Sequence, residues 1–476
     1  VKPTILKNII ICLTLILIIF SESTTHAQIA YDTTVVLNEE RMTEWILKNH
    51  PIVRQANLLN QMAVPERRAA SGAFDPKLYG DWNAKSFDNK NYFQQGEAGL
   101  KMDAWFGAEI KAAYNYTSGV YLNPENNLPA DGQPVLGLKV PLLQGLFIDQ
   151  RRADLFKARN LANLNAAKRD EVVNNLILDA TVAFWDWYNA KKGMEVITEA
   201  INVSRLRFEA VKDGFEAGDK PAIDTVEALI QLQNWQNELF EANIKLNKTL
   251  LEISNFIWNE DGKPVTLSPA SSPLDESPGF ESALNPDVLN NISQTHPSLR
   301  KYIFKQKELE VDLRLKRELF KPQLDVEYNL LGSGFSFQND VSDLPFYNNY
   351  KWGATFSFPL FLRKASGSYQ LAQLKLLEND LGRQQKELEI QNKINQISTE
   401  IDNLEQSFAN MQELVENYTR LFEGEQEKFF IGESSLFLIN SRETKLLEAR
   451  LKLFKTEAEL NKTKSKLRWA VGQLGI

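Results

Sequence analysis

Groups able to do chemistry are few in this chain. Its histidines are His26, His50 and His296, and its one cysteine is Cys12. A cysteine-based zinc site, a disulfide scaffold and a thiol redox centre are thereby excluded. His50 and His296 each precede a proline, Pro51 and Pro297. A proline after the cap suits the first position of a helix, so these histidines read as structural, not as metal ligands. Met42, Met62, Met102, Met194 and Met411 are scattered and form no soft-metal path. Carboxylates abound as solvated helix faces, and no acid–base pair can be singled out. No nucleophile motif, Walker loop or dinucleotide fingerprint stands out. The chain is therefore expected not to be an enzyme and to carry no cofactor or metal. A net charge of -8 argues against a nucleic-acid partner.

What remains is architecture. Lys2 and Lys7 precede the apolar run Ile9 to Phe20, and Thr25-His26-Ala27 follows a polar stretch. That pattern reads as an export signal over residues 1–27, which would remove Cys12. The rest looks duplicated. Asn49-His50-Pro51 recurs as Thr295-His296-Pro297, and Asp75-Pro76-Lys77-Leu78 as Lys321-Pro322-Gln323-Leu324, both at an offset of 246. Val140-Pro141-Leu142 recurs as Phe358-Pro359-Leu360 at 218, and Phe215-Glu216-Ala217-Gly218 as Phe429-Phe430-Ile431-Gly432 at 214. The first half thus carries 28 extra residues between its second and third markers. We divide the chain into a first repeat, 28–260, a linker, 261–286, and a second repeat, 287–476. Five prolines and several serines make the linker read as unpacked.

Each repeat reads as a short helix, a strand region, a long helix, a tight turn and a returning long helix. Strand regions are expected at about 77–142 and 323–360, and helical hairpins at about 152–258 and 366–472. Val173, Leu176, Ala180, Ala183, Trp187, Ala190 and their successors to Phe215 keep 3–4 spacing, as do Ile394, Ile397, Ile401, Leu404 and their successors to Phe429. Such spacing marks helices wound in a left-handed coiled coil. Trp185, Trp187, Trp235, Trp258 and Trp469 are placed on these helices as packing residues. Ile223, Val226, Ile230, Phe240, Ile244 and Leu251 form a second stripe beside Leu229, Leu232, Leu239 and Leu246. Two stripes on one helix imply neighbours on both sides, as in a closed ring.

The strand regions alternate with period two. Leu324, Val326, Tyr328 and Leu330 alternate with Asp325, Glu327 and Asn329, and Tyr350, Trp352, Ala354 and Phe356 with Lys351, Gly353, Thr355 and Ser357. Phe106, Ala108, Ile110, Ala112, Tyr114 and Tyr116 suggest another strand, and Leu136, Leu138 and Val140 a further one. A half-buried soluble strand gives the same pattern. Together with export and long coiled coils, it favours an outer-membrane barrel with a polar lumen. Two hairpins cannot close such a barrel alone, because about eight strands are the minimum. The 28-residue excess is expected to extend a surface loop, the alternative being a wider barrel. The competing reading of the whole is a secreted structural or adhesive coiled-coil protein without channel activity.

At this point the residues resemble the TolC-like outer-membrane efflux protein family, from about Leu37 to Leu474. The resemblance rests on Phe215-Glu216-Ala217-Gly218-Asp219-Lys220-Pro221-Ala222-Ile223-Asp224, on Phe429-Phe430-Ile431-Gly432-Glu433-Ser434-Ser435-Leu436, and on the strand-to-helix junctions at Pro141 and Pro359. It implies a mainly α fold with a transmembrane β-barrel: two tandem repeats per chain, a homotrimer with a 12-stranded barrel in outer-membrane lipid, and helical hairpins forming a periplasmic tunnel. It implies an exit duct of a tripartite efflux or type I secretion system, docked to a periplasmic membrane-fusion adaptor and an inner-membrane pump. The hairpin tips and pore aperture would then comprise Gly218, Asp219, Lys220, Pro221, Asp224, Gly432, Glu433, Ser434 and Ser435. Asp219, Asp224 and Glu433 are the expected charge carriers there. Asp224 matches an acidic tip position, whereas the equivalent in the second half is Leu438.

Overall fold

The computed structural model describes residues 34–274, 291–332 and 349–474. The expected export signal, with Cys12 and His26, and residues 275–286 of the expected linker lie outside them. In chain order the elements are β1 (Val36–Leu37), α1 (Glu39–Asn49), α2 (Pro51–Ser71), β2 (Lys77–Phe87), β3 (Lys90–Asp103), β4 (Glu109–Ser118) and β5 (Gln133–Pro141). There follow α3 (Gln150–Glu216), α4 (Ala222–Ser254), β6 (Ser272–Pro273), α5 (Ile292–Thr295), α6 (Pro297–Glu318), β7 (Gln323–Leu331), β8 (Tyr350–Ser357), α7 (Arg363–Phe430) and α8 (Leu436–Ala470). They fall into two compact units.

The first unit comprises the described residues of Val1–Asn49, Ala183–Glu276 and Met411–Ala458. Its core follows the 3–4 stripes: Val196, Ile197, Ala200 and Ile201 of α3 bury against Leu232 and Trp235 of α4 and Leu447 of α8. Each large apolar side chain buried in this way contributes about 1.5–3 kcal/mol. Phe184, Trp185, Trp187 and Tyr188 are fully buried, and the Trp185 indole donates to Glu39 at 2.9 Å. Trp258 differs from expectation. It lies beyond α4, bridged to Pro264, because the helix ends at Ser254. The linker also differs. Ser272 and Pro273 pair in parallel with Val36 and Leu37, Leu267 is buried, and its amide donates to Ser254 Oγ at 3.1 Å. Over its described part, 261–274, the stretch is packed although Pro264, Pro269 and Pro273 keep it from forming a helix.

The second unit comprises the described residues of His50–Val182, Ser277–Asn410 and Glu459–Ile476. Ile292 and Leu299 bury with Ile390, Ile394, Ile397 and Ile401 of α7 and Leu460 and Leu467 of α8. Both histidines cap helices. His50 Nδ1 accepts from the Ile52 amide and His296 Nδ1 from the Ser298 amide, each at 3.2 Å. Burial pushes the His296 pKa down to about 4, against the pull of Glu171, so it is held neutral.

This unit also holds a six-stranded sheet in the order β2-β3-β4-β5-β7-β8, antiparallel throughout. The 28 extra residues of the first half are therefore built as regular strand and not as irregular loop. They add a strand pair that is laddered into the sheet. The strand expected around 105–116 begins at Glu109, and Ala104–Ala108 is a turn closed by the Ala104 amide on the Ala108 carbonyl at 2.7 Å. Gly107 has φ 98 there, a conformation that glycine alone adopts readily. Aromatic Trp105 and Phe106 carry the alternation through the turn, which hid it from the pattern. β2 and β3 are joined by Asp88 and Asn89 at φ 53 and 55, a tight two-residue hairpin of the type these residues favour.

Candidate functional site: two hairpin turns and a two-faced sheet

Both helical hairpins reverse through the same hydrogen bonds. The Gly218 amide donates to Phe215 and the Asp219 amide to Gly214, at 2.9 and 2.8 Å. The Gly432 amide donates to Phe429 and the Glu433 amide to Lys428, at 3.1 and 2.9 Å. This is the Schellman closure, which satisfies the last helix carbonyls and needs a left-handed residue. Gly218 and Gly432 supply it at φ 82 and 80.

The first unit brings the two turns together. Val211, Ala228, Leu436 and Ile439 form one core cluster with Phe208, Phe422 and Phe429 packed on it. Lys220 places its ammonium 5.1 Å from the Phe429 ring centroid. Asp219, Lys220, Pro221 and Glu433 are exposed and Asp224 is half-exposed in the first turn of α4, where a carboxylate favours the helix N-terminus. Ser434 Oγ donates to Glu425 at 2.6 Å, and Ser435 Oγ accepts from the Leu438 amide at 3.3 Å, capping α8.

Behind the turns lies a group that sequence reasoning missed. Arg207 of α3 donates to Asn440 at 2.8 Å and through Nη2 to Glu443 of α8 at 3.0 Å. The Arg207 and Glu443 side chains are only 11% and 6% exposed. The forked geometry of guanidinium on carboxylate fixes direction as well as distance. Nothing in the 3–4 stripes marks Arg207, which sits just off the apolar face.

The sheet, in the second unit, has two unlike faces. Leu78, Leu100, Ala112, Leu136, Leu330 and Tyr350 lie side by side across all six strands. Trp82, Leu138, Tyr328, Trp352 and Phe356 share that face, and most of it is exposed. The opposite face carries Glu97 paired to Lys111 at 2.7 Å and Lys139 to Asp325 at 3.4 Å. The β4–β5 loop folds over this polar face: Thr117 Oγ donates to the Asn126 carbonyl at 2.8 Å. Trp105, Phe106, Phe147 and Phe361 are exposed near the ends of the strands that lead to the helices. Phe87 and Tyr92 meet edge to face at 6.2 Å near the opposite ends.

Of the two junction residues only Pro141 belongs to this sheet. Pro141 is the last residue of β5, opposite Asp325, and Pro359 lies between β8 and α7. Asp149 caps α3 by accepting from the Arg152 amide at 2.9 Å. Burial pushes the Asp149 carboxyl up, but that amide and the Arg151 and Arg152 guanidiniums hold it below the usual carboxylate range. Arg151 also pairs with Asp103, tying the β3–β4 turn to the start of α3.

No helix among the described residues is long and apolar enough to cross a membrane, and no group of metal-ligating side chains occurs among them. Residues 288–474 match the family model described as outer membrane efflux protein. No curated protein sequence matches the chain significantly. Among solved structures, the Campylobacter jejuni CmeC outer membrane channel matches with a TM-score of 0.65 at 14% identity, over 91% of this chain and 85% of that one. The outer membrane protein VceC of Vibrio cholerae gives 0.63 at 13%, over 91% and 96%. The open state of the Neisseria gonorrhoeae MtrE outer membrane channel gives 0.62 at 11%, over 92% and 89%. At such identities the likeness is one of fold, and it extends over both halves of the chain. The resemblance read from the hairpin turns is thus matched by the family model and by the fold.

Proposed function

We propose that the chain is an outer-membrane channel, the exit duct of a tripartite efflux or type I secretion system. The two-faced sheet carries this reading. An exposed apolar face with aromatic residues near both ends suits lipid, and a charged opposite face suits a water-filled lumen. Backbone groups in a bilayer must all find partners, so an open six-stranded sheet has to close with other copies. Uncovered helix stripes support the same step. Ile223, Val226, Ile230, Phe240, Ile244 and Leu251 are exposed on α4, as are Leu371, Leu374, Leu377, Leu381 and Leu388 on α7. Rows of this length at helical spacing call for neighbouring helices. A homotrimer supplies the neighbours, and the hairpins then form a tunnel in the periplasm. The turns at Gly218 and Gly432 form its aperture and its contact with a membrane-fusion adaptor and an inner-membrane pump. Transport energy comes from the pump in this reading, since no Walker loop stands out in the sequence.

The test is fractionation followed by reconstitution. Heat-modifiable trimers in outer-membrane fractions, with single-channel conductance in planar bilayers, are expected. A soluble oligomer without conductance would overturn the channel and favour the structural coiled-coil alternative.

A further inference from the structure

Among the described residues the sheet ends on β2 at one edge and on β8 at the other. If two hairpins entered the wall, each chain would give four strands. This chain has six, and three observations place the additional pair inside the wall. The ladders are full length: β3 matches β2 from Lys101 to Lys90, and β4 from Gln94 to Asp103. The apolar row from Leu78 to Tyr350 crosses β3 and β4 without a gap, and so does the charged face, through Glu97, Lys101 and Lys111. The β3–β4 turn is anchored at the helix end of the sheet, by Asp103 on Arg151 and by Gly107 against the Arg152 guanidinium, where a Cβ would lie 2.9 Å from Nη2. A hairpin that merely lengthened an outer loop would not reach the start of α3.

The count of six also sets direction. Neighbours alternate, so β8 runs opposite to β2, and the β8 of one copy can meet the β2 of the next antiparallel. We propose that β2 pairs with β8 of a neighbouring copy, so that all six strands enter the wall and three copies close an 18-stranded barrel. This rests on the trimeric channel proposed above. With strands about 4.8 Å apart and tilted by about 40°, the backbone diameter is about 36 Å, against about 24 Å for 12 strands. Such an outlet suits bulky hydrated cargo, such as extended polypeptide or oligosaccharide, better than small amphiphiles alone. The β4–β5 loop then lies inside the lumen, on the face that Thr117 shares.

Disulfide scanning tests this. The only cysteine in the chain is Cys12, in the stretch read as the export signal. Lys351→Cys on β8 is combined with Asp81→Cys, Asn83→Cys or Lys85→Cys on β2, and separately with Lys111→Cys, Asn115→Cys or Thr117→Cys on β4. Each variant is checked for trimer and conductance under reducing conditions. Oxidation should give covalent dimers and trimers with at least one β2 partner and with no β4 partner. Trimers cross-linked through β4 would show four strands per chain in the wall, with β2 and β3 outside it, and would overturn the proposal while leaving the channel intact. Conducting trimers that cross-link through neither set would overturn it equally. Absence of trimers and conductance would overturn the channel reading itself.

Discussion

At the first hairpin turn Gly218 is followed by Asp219, Lys220 and Pro221, and at the second Gly432 is followed by Glu433, Ser434 and Ser435. The backbones close through the same pair of hydrogen bonds, with φ 82 and 80. The return helices start differently. Pro221 caps α4 without a side-chain bond and Asp224 stands in its first turn, whereas Ser435 caps α8 through its hydroxyl and Leu438 takes the matching place. The surfaces differ too: Phe430 and Ile431 stand 80% and 70% exposed beside the second turn, where Glu216 and Ala217 take the matching places, while Phe437 at 67% matches Ile223 at 68%. One backbone solution thus ends one descending helix on Glu216 and Ala217 and the other on Phe430 and Ile431. A pore or partner reached by both would meet two chemistries, not a repeated one.

The comparison is sharpest where the hairpins are tied together. Arg207 and Glu443 are nearly buried, so Arg207→Met leaves a carboxylate without its partner. Breaking a buried pair from one side costs about 3–5 kcal/mol. Amide exchange of α3 and α8 near the turns should accelerate most in this variant. A double variant, Arg207→Met with Glu443→Leu, should recover much of the loss; if it exchanges as fast as the single variant, packing and not the charge pair is what matters.

Next come the glycines. Nothing lies within 4 Å of a Cβ built on either Gly218 or Gly432, so substitution there meets strain and no clash. Gly218→Ala and Gly432→Ala should each cost about 1–2 kcal/mol, and by similar amounts. Unequal losses in local exchange would show that the two turns are not equivalent in backbone after all. The caps should then separate them. Ser435→Ala removes a side-chain cap and should cost about 1 kcal/mol, whereas Pro221→Ala removes none and should change local stability by less than about half that.

How much of this was legible follows from which patterns have short-range causes. The turns were, because glycine adopts their φ most readily and the flanking aromatics mark the helix ends. The long helices were, because a 3–4 stripe over more than ten turns has no competing reading. The sheet was legible in β5, β7 and β8, where period two stands between clear breaks. It failed at β3, where Gly96 thins the apolar face, and at Trp105 and Phe106, which prolong the alternation around a turn. Asp88-Asn89 was the available signal for the added hairpin, since these residues accept positive φ. Arg207 and Glu443 left no signal, because a pair 236 residues apart is made by tertiary packing alone.

The smallest effect expected is electrostatic, and it bears on function. In the proposed trimer Asp219, Asp224 and Glu433 would each appear as three copies around the aperture, while Leu438 contributes none. Asp224→Ala with Glu433→Ala should weaken cation preference and cation block in single-channel recordings, and Leu438→Asp should strengthen them. Exposed charges act over about 10 Å at 0.1 M salt and about 3 Å at 1 M, so the differences should shrink as salt rises. Unchanged conductance and block at low salt in both variants would remove these carboxylates from the aperture. The constriction would then fall to the apolar side of the comparison, with Phe430, Ile431 and Phe437 as the residues to truncate.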